Sequence, residues 1–179
     1  VASLLMLSVA MLVKLPAVFV VLPLGVILWE ARAQLRAWHV LLAAGLVVAP
    51  SVTWYQHSQV LSRNYGLGSY FYEPLNIKAS LAQIVKPELW KHVYAQRMPS
   101  QVVGLIGSAL ALVGLVRSLI KKDLFVVSWL VAMVGFTFLF PAKFIAHTYY
   151  SLPFVPVMAA LAAIAIVWLL GLVKNRTIN

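Results

Sequence analysis

The chain has 179 residues, 63% of them hydrophobic and 10% charged, with a formal net charge of +10 and no cysteine. Soluble domains carry about a quarter charged residues, so an ordinary soluble domain is excluded, as are disulfides and thiolate metal sites. The basic residues are scattered through short connectors, which fits membrane topology signals and anionic headgroups better than nucleic acid.

The apolar residues form continuous runs rather than alternating patterns. In lipid only helices or a closed barrel satisfy the backbone, and continuous runs favour helices. The expectation is an all-α fold, a polytopic membrane helix bundle of about six transmembrane segments in a single transmembrane domain over residues 1–179.

The first run, Val1 to Val13, ends at Lys14-Leu15-Pro16, and a second extends from Ala17 to Trp29 with Pro23 inside it. Each is roughly 20 Å of helix, against a hydrocarbon core about 30 Å thick. One helix kinked at Lys14 and Pro16 fits, and so does a hairpin whose turn lies below the membrane surface. A lysine facing lipid at mid-depth is costly, which favours the hairpin. The run opens without a basic stretch before it, unlike a signal peptide, and the chain reads as the C-terminal fragment of a longer membrane protein. "EARAQLRAW" (30–38) is a short basic connector. The next helix is predicted from Ala37 to Trp54.

Residues 55–101 form the one long hydrophilic stretch, read as an extracytoplasmic loop. "NYGLGSYFYEP" (64–74) is rich in Gly and aromatics and suits turns. "LNIKASLAQIV" (75–85) puts Ile77, Leu81 and Ile84 on one helical face. "KPELWKHVYAQR" (86–97) opens near Pro87 and places Leu89, Trp90, Val93 and Tyr94 on one side, with Lys86, Lys91 and Arg97 as added charge. These are short amphipathic helices, lying in the membrane interface or packed as a cap. Further helices are predicted over Val102 to Val116, Leu124 to Phe140 and Tyr150 to Val173. "RSLIKKD" (117–123) joins the first two of these, and "KNR" follows the last.

If Arg32, Arg36, Arg117, Lys121, Lys122, Lys174 and Arg176 are cytoplasmic, the connectors alternate consistently. Lys14, the long loop and the segment after Phe140 then share the outer face. Seven basic residues fall there too, at 14, 63, 78, 86, 91, 97 and 143. Raw count is therefore a tie, and the density of charge in the short connectors sets the orientation. An outer face that keeps so many cations points to an anionic partner.

No phosphate-binding Gly-rich loop, Gly-x-Ser-x-Gly or His-Glu-x-x-His motif occurs. His39, His57, His92 and His147 are far apart, and the acids Glu30, Glu73, Glu88 and Asp123 form no adjacent pair. No cofactor is evident, although the pattern leaves a divalent metal open. "FPAKFIAHTYYSLPFVP" (140–156) carries more chemistry than a connector needs. Lys143 and His147 are four apart and share a face if helical. Tyr149 and Tyr150 sit where an aromatic belt is expected. Together these side chains offer a point charge and directed donors to an anionic headgroup. Pro141 and Pro153 also read as helix boundaries. Lys14 is either a lysine snorkelling to the interface or a cation lining an aqueous cavity.

"MLVKLPAVFVVLPL" (11–24), "APSVTWYQHS" (49–58) and "HTYYSLPFVPVMAALAA" (147–163) follow one another in a chain of this hydropathy. The series resembles the C-terminal part of the membrane region of C-type glycosyltransferases, in particular the bacterial protein mannosyltransferase and aminoarabinose transferase group. The resemblance implies transfer of a sugar from a polyprenyl-phosphate carrier to a lipid or protein acceptor at the outer face of the bacterial inner membrane, in cell-envelope chemistry. It implies that Lys14, Lys143, His147, Tyr149 and Tyr150 hold the donor phosphate. The family's catalytic acid lies in an early outer loop with no counterpart here, so the fragment is expected to be inactive alone and to contain no catalytic residue. The rival expectation is a transporter or lipid flippase segment without transferase activity, since broken helices and buried cations suit transporters too.

Overall fold

The structure is a computed structural model that describes residues 2–13, 19–66 and 77–176, and the side chains of 4–11, 19–66 and 81–173. The described residues are all-helical, without a strand. Three helices are long and apolar enough to cross a membrane, Ala37–Asn64, Gly104–Lys121 and Thr148–Val173, with shorter apolar helices at Val21–Glu30 and Leu124–Leu139. Much of their apolar surface stays exposed, as at Leu105, Ile106, Val167 and Leu170. Helices apolar all round that expose those faces are built for lipid. The described residues form an all-helical membrane protein.

The chain divides into two compact units, one made of Val1–Val21 and Ile27–Leu75, the other of Leu22–Val26 and Asn76–Asn179. In the first unit, helix α1 (Ala2–Val13) packs on α3 (Ala37–Asn64). The buried residues of α3 are Val47, Ser51, Ser58 and Ser62, a single stripe of mostly small side chains. Small residues let helix backbones approach closely in lipid. Helix α2 (Val21–Glu30) ends where Arg32 folds back, donating to the Trp29 carbonyl at 2.7 Å with its guanidinium 4.5 Å from the Trp29 ring centroid. At the start of α3 the Arg36 amide donates to the His39 ring at 3.4 Å, so His39 caps a helix end.

The sequence places the end of α3 at Trp54, but the helix continues to Asn64. Pro50 lies inside it and removes one backbone bond, and Thr53 Oγ1 donates to the Ala49 carbonyl at 2.9 Å nearby. The polar segment 55–64 reads as loop because its apolar stripe is made of serines. Lys14 and the junction between α1 and α2 lie outside the described residues, as do Leu67 to Asn76.

In the second unit, α4 (Ile77–Ile84) is followed by a π-helix, Leu89–Val102, then α5 (Gly104–Lys121), α6 (Leu124–Leu139), α7 (Pro141–Ala146), a 3-10 turn at Thr148–Ser151 and α8 (Phe154–Arg176). The 86–97 segment is helical from Pro87, but wider than expected. Its buried residues are Leu89, Val93 and Met98. Those steps of four and five suit a helix closed by bonds to the fifth residue on, where an α-helix aligns every third or fourth. The Val103 amide donates to the Met98 carbonyl at 3.4 Å and continues that pattern to the end. Gly104 follows at φ +73, open to glycine at little cost.

The core of this unit is α5 against α8. On α5 the buried positions are Ala111, Gly114 and Ser118, and on α8 they include Phe154, Val157, Leu161 and Ala165. Gly114 is the point of closest approach. A Cβ there would stand 2.6 Å from the Leu161 carbonyl carbon and nearer still to its oxygen. The α5–α6 turn takes only two residues. Lys122 adopts the left-handed conformation at φ 55, its amide donates to Leu119 and the Asp123 amide to Ser118, which closes α5. Asp123 Oδ1 then accepts from the Val126 amide at 3.3 Å and caps α6. Helix α5 therefore runs through Arg117 to Lys121, five residues past the predicted end, and α6 ends within one residue of its predicted Phe140.

Candidate functional site

The segment 140–156 is not a simple connector. Pro141 takes the first position of α7, where no amide donor is needed. Pro153 directly precedes α8, and Pro156 falls in its first turn. Helix α7 has six residues, too few to hold itself together in isolation. Two sets of contacts hold it. From below, Phe144 is fully buried among Phe136 (ring centroids 5.0 Å), Tyr150 (5.8 Å) and Phe154 (6.2 Å). From the side, Arg97 on the π-helix donates to the Phe144 carbonyl in a short contact and to the Ile145 and His147 carbonyls at 3.4 Å.

Arg97 thus reads the C-terminal end of α7. The last carbonyls of a helix have no partner within it and carry the negative end of its dipole. A planar guanidinium reaches several of them at once, which an ammonium does not. In the sequence Arg97 shows only as added positive charge. Its partners lie 47 to 50 positions away and are backbone oxygens, which leave no trace in a side-chain pattern.

Above this clamp the structure brings three of the predicted residues together. The His147 ring stacks on Tyr149 (5.3 Å, 25°) and Tyr150 (6.0 Å, 29°), and the two tyrosines stand 4.8 Å apart. His147 and Tyr149 are exposed, while Tyr150 is half-buried and packs on Phe136 at 6.0 Å. Lys143 sits half-buried in the last turn of α7, and its carbonyl accepts from the His147 amide at 2.9 Å. His147 itself has extended backbone, so the shared helical face expected of Lys143 and His147 is broken at its last position. Lys14 is not among the described residues.

The π-helix links this rim to the interior. Trp90 Nε1 donates to the Ile84 carbonyl at 2.7 Å and closes α4. Its ring stacks on Tyr94 (5.4 Å) and meets Phe138 edge-on at 5.7 Å. Tyr94 meets Phe154 edge-on at 6.4 Å. Beyond Tyr94 and Phe154 lies a cavity of about 370 Å³ with walls including Met98, Leu130 and Met158. Two hydroxyls line it, Tyr94 Oη and Ser108 Oγ, and both are buried without a hydrogen-bond partner. Burial pushes the Tyr94 phenol above its ordinary range. The nearby Thr137 hydroxyl gives its proton to the Met133 carbonyl at 3.2 Å and so does not satisfy the phenol.

The other histidines have local roles. His92 bonds Gln96 at 2.9 Å, and His57 lies against Trp54. Among the described residues no three His, Asp or Glu side chains gather as a metal site. Comparison with known proteins returns no family model, no curated protein and no solved structure that matches the chain.

Proposed function

We propose that the chain is part of a membrane glycosyltransferase that moves a sugar from a polyprenyl-phosphate carrier to a lipid or protein acceptor on the outer face of the bacterial inner membrane. In this reading the chain crosses the membrane about six times, the short connectors are cytoplasmic, and the π-helix and the 140–156 junction face outward. The observation that carries it is the junction: His147, Tyr149 and Tyr150 in one ring cluster, with Lys143 on the preceding turn, all on backbone that Arg97 fastens to the π-helix.

The chemistry asks for this kind of rim. As the glycosidic bond breaks, negative charge grows on the departing polyprenyl phosphate. A fixed cation and aimed donors stabilise that charge most where water is scarce. Lys143 supplies the charge, and His147 and the tyrosine hydroxyls supply directed donors. The apolar cavity beyond Tyr94 gives part of the isoprenoid tail a place out of water. The general base that activates the acceptor belongs to a part of the enzyme outside these residues.

Binding of a long-chain polyprenyl phosphate to the purified protein, with the matching polyprenol as comparison, tests the reading. A hydrogen bond to a charged group contributes about 1.5–3 kcal/mol, so Lys143→Ala should weaken phosphate binding about tenfold or more and leave polyprenol binding unchanged. Equal affinity for phosphate and alcohol, or an unchanged Lys143→Ala, His147→Ala double variant, removes these residues from a phosphate site.

A further inference from the structure

The connector "RSLIKKD" reads in the sequence as a topology signal, yet its residues enclose a pocket. Helix α5 carries Arg117, Ser118 and Lys121 on its last turns, beside Asp123, with Ile164, Val167 and Trp168 of α8 opposite, around a volume of about 450 Å³. It lies at the end of α5 away from the π-helix and the 140–156 junction, along a helix about 27 Å long.

We propose that this pocket binds the phosphate head of an anionic membrane lipid. Arg117 and Lys121 are four apart and face the same way. Arg117 lies 5.5 Å over the Trp168 ring, which orients its planar fork. Among the described residues neither cation forms an ion pair. Asp123 is the one carboxylate in the lining, and its Oδ1 is turned to the Val126 amide as the cap of α6. Two cations therefore face one carboxylate that already has a partner.

Ser118 is the second, independent sign. It is 1% exposed, its carbonyl accepts from the Asp123 amide, and its Oγ has no partner. Buried hydroxyls are nearly always paired, and a phosphate oxygen is the acceptor this one lacks. The third sign selects lipid over a free anion. The wall opposite the cations is apolar and belongs to a membrane-spanning helix, and Val167 on it is 71% exposed. An acyl chain lies along such a face, whereas a nucleotide or free phosphate gains nothing from it. Basic pockets between spanning helices on the cytoplasmic side are a recurrent form of headgroup recognition. The proposal depends on the membrane class and not on the transferase reading.

The test is native mass spectrometry of the full chain in detergent, titrated with dioleoylphosphatidylglycerol, dioleoylphosphatidylcholine or inorganic phosphate. The anionic lipid should bind at least about tenfold tighter than the zwitterionic one. Arg117→Gln with Lys121→Gln should remove that preference, and Ser118→Ala should weaken it a few-fold while keeping both charges. Arg32→Gln with Arg36→Gln, in another basic connector, should change it less than about twofold. Equal binding of the two lipids, or an unchanged preference in the Arg117, Lys121 variant, overturns the site. Equal loss in the Arg32, Arg36 variant overturns it as well, in favour of diffuse charge attraction. Millimolar inorganic phosphate that displaces the lipid overturns the assignment to lipid. If the double variant does not fold, Ser118→Ala and Arg117→Lys decide, and full retention of the preference in both refutes the proposal.

Discussion

Replacing Arg97 by alanine removes the polar fastening of the junction and leaves the aromatic packing around Phe144 in place. The guanidinium donates to three carbonyls at the end of a six-residue helix, one in close contact and two at 3.4 Å. A bond from a charged donor contributes about 1.5–3 kcal/mol. Counting the close contact in full and the two long ones together as about one neutral bond gives roughly 3 kcal/mol for the clamp. Helix α7 is too short to be stable alone, so this loss falls on local opening of residues 141–151 and not on the α5–α8 core. Native-state hydrogen exchange reads such openings directly. The His147 amide, which donates to the Lys143 carbonyl at 2.9 Å, should lose protection by about 100-fold, at 1.4 kcal/mol per tenfold. Amides of α5 should be unchanged. Arg97→Lys should recover part of the protection, because a point charge reaches one carbonyl well where the fork reaches three. Unchanged protection across 141–151 in Arg97→Ala would refute the clamp as the element that orders the site.

Gly114→Ala should destabilise the protein by about 3 kcal/mol, because the new methyl meets the Leu161 backbone and not a yielding side chain. Gly107→Ala, where the neighbour is the Val103 side chain at 3.1 Å, should cost less than about 1 kcal/mol. Thermal unfolding in detergent separates the two, and equal effects would contradict the close α5–α8 approach. Tyr94→Phe should be neutral or stabilising by up to about 1 kcal/mol near neutral pH, since it removes a buried hydroxyl with no partner. Its pH dependence has a definite sign. The native phenol is raised from 10.0, so its contribution is intact below that value and is lost as pH rises from there through the native value. Tyr94→Phe should lose less stability than wild type over that alkaline interval, and parallel curves would sink the assignment. Orientation is open to a direct test, since the chain has no cysteine. His92→Cys, on an exposed position of the π-helix, should react with an impermeant maleimide in intact cells, and labelling only after permeabilisation would invert the proposed topology.

The helices are legible where lipid alone shapes the sequence. Helix α6 is apolar around its whole circumference, and its pattern gives its end to within one residue. Where a helix leaves the apolar pattern, the pattern stops early. Residues 55–64 continue α3 through the buried serines 58 and 62, and serine on a helix face counts as polar in a hydropathy pattern whether or not it is buried. Likewise Arg117 to Lys121 looks like a connector only if charge is taken to end a helix. In fact Lys122 ends it by taking the left-handed conformation at φ 55, at a cost of about 1–2 kcal/mol for a residue with a Cβ. The π-helix is beyond reach for a related reason. Periodicity at α-helical spacing finds a helix over 86–97 but neither its wider turn nor its run to Val102, because Met98 follows Val93 at a step of five.

Arg97 carries the larger lesson about charge. Seven cations on the proposed outer face, taken together, point to an anionic partner. One of them is already matched, because Arg97 faces three carbonyl dipoles within the chain. Two more, Lys14 and Lys78, have side chains outside the described residues. The argument for an anion therefore cannot rest on the total. It rests on Lys143, because that cation stands one turn from the ring cluster of His147, Tyr149 and Tyr150 on backbone the clamp has fixed. A lysine on unanchored backbone loses backbone as well as side-chain entropy when it meets a phosphate. One mounted on an anchored turn loses less, and that difference is what separates a binding site from a basic surface.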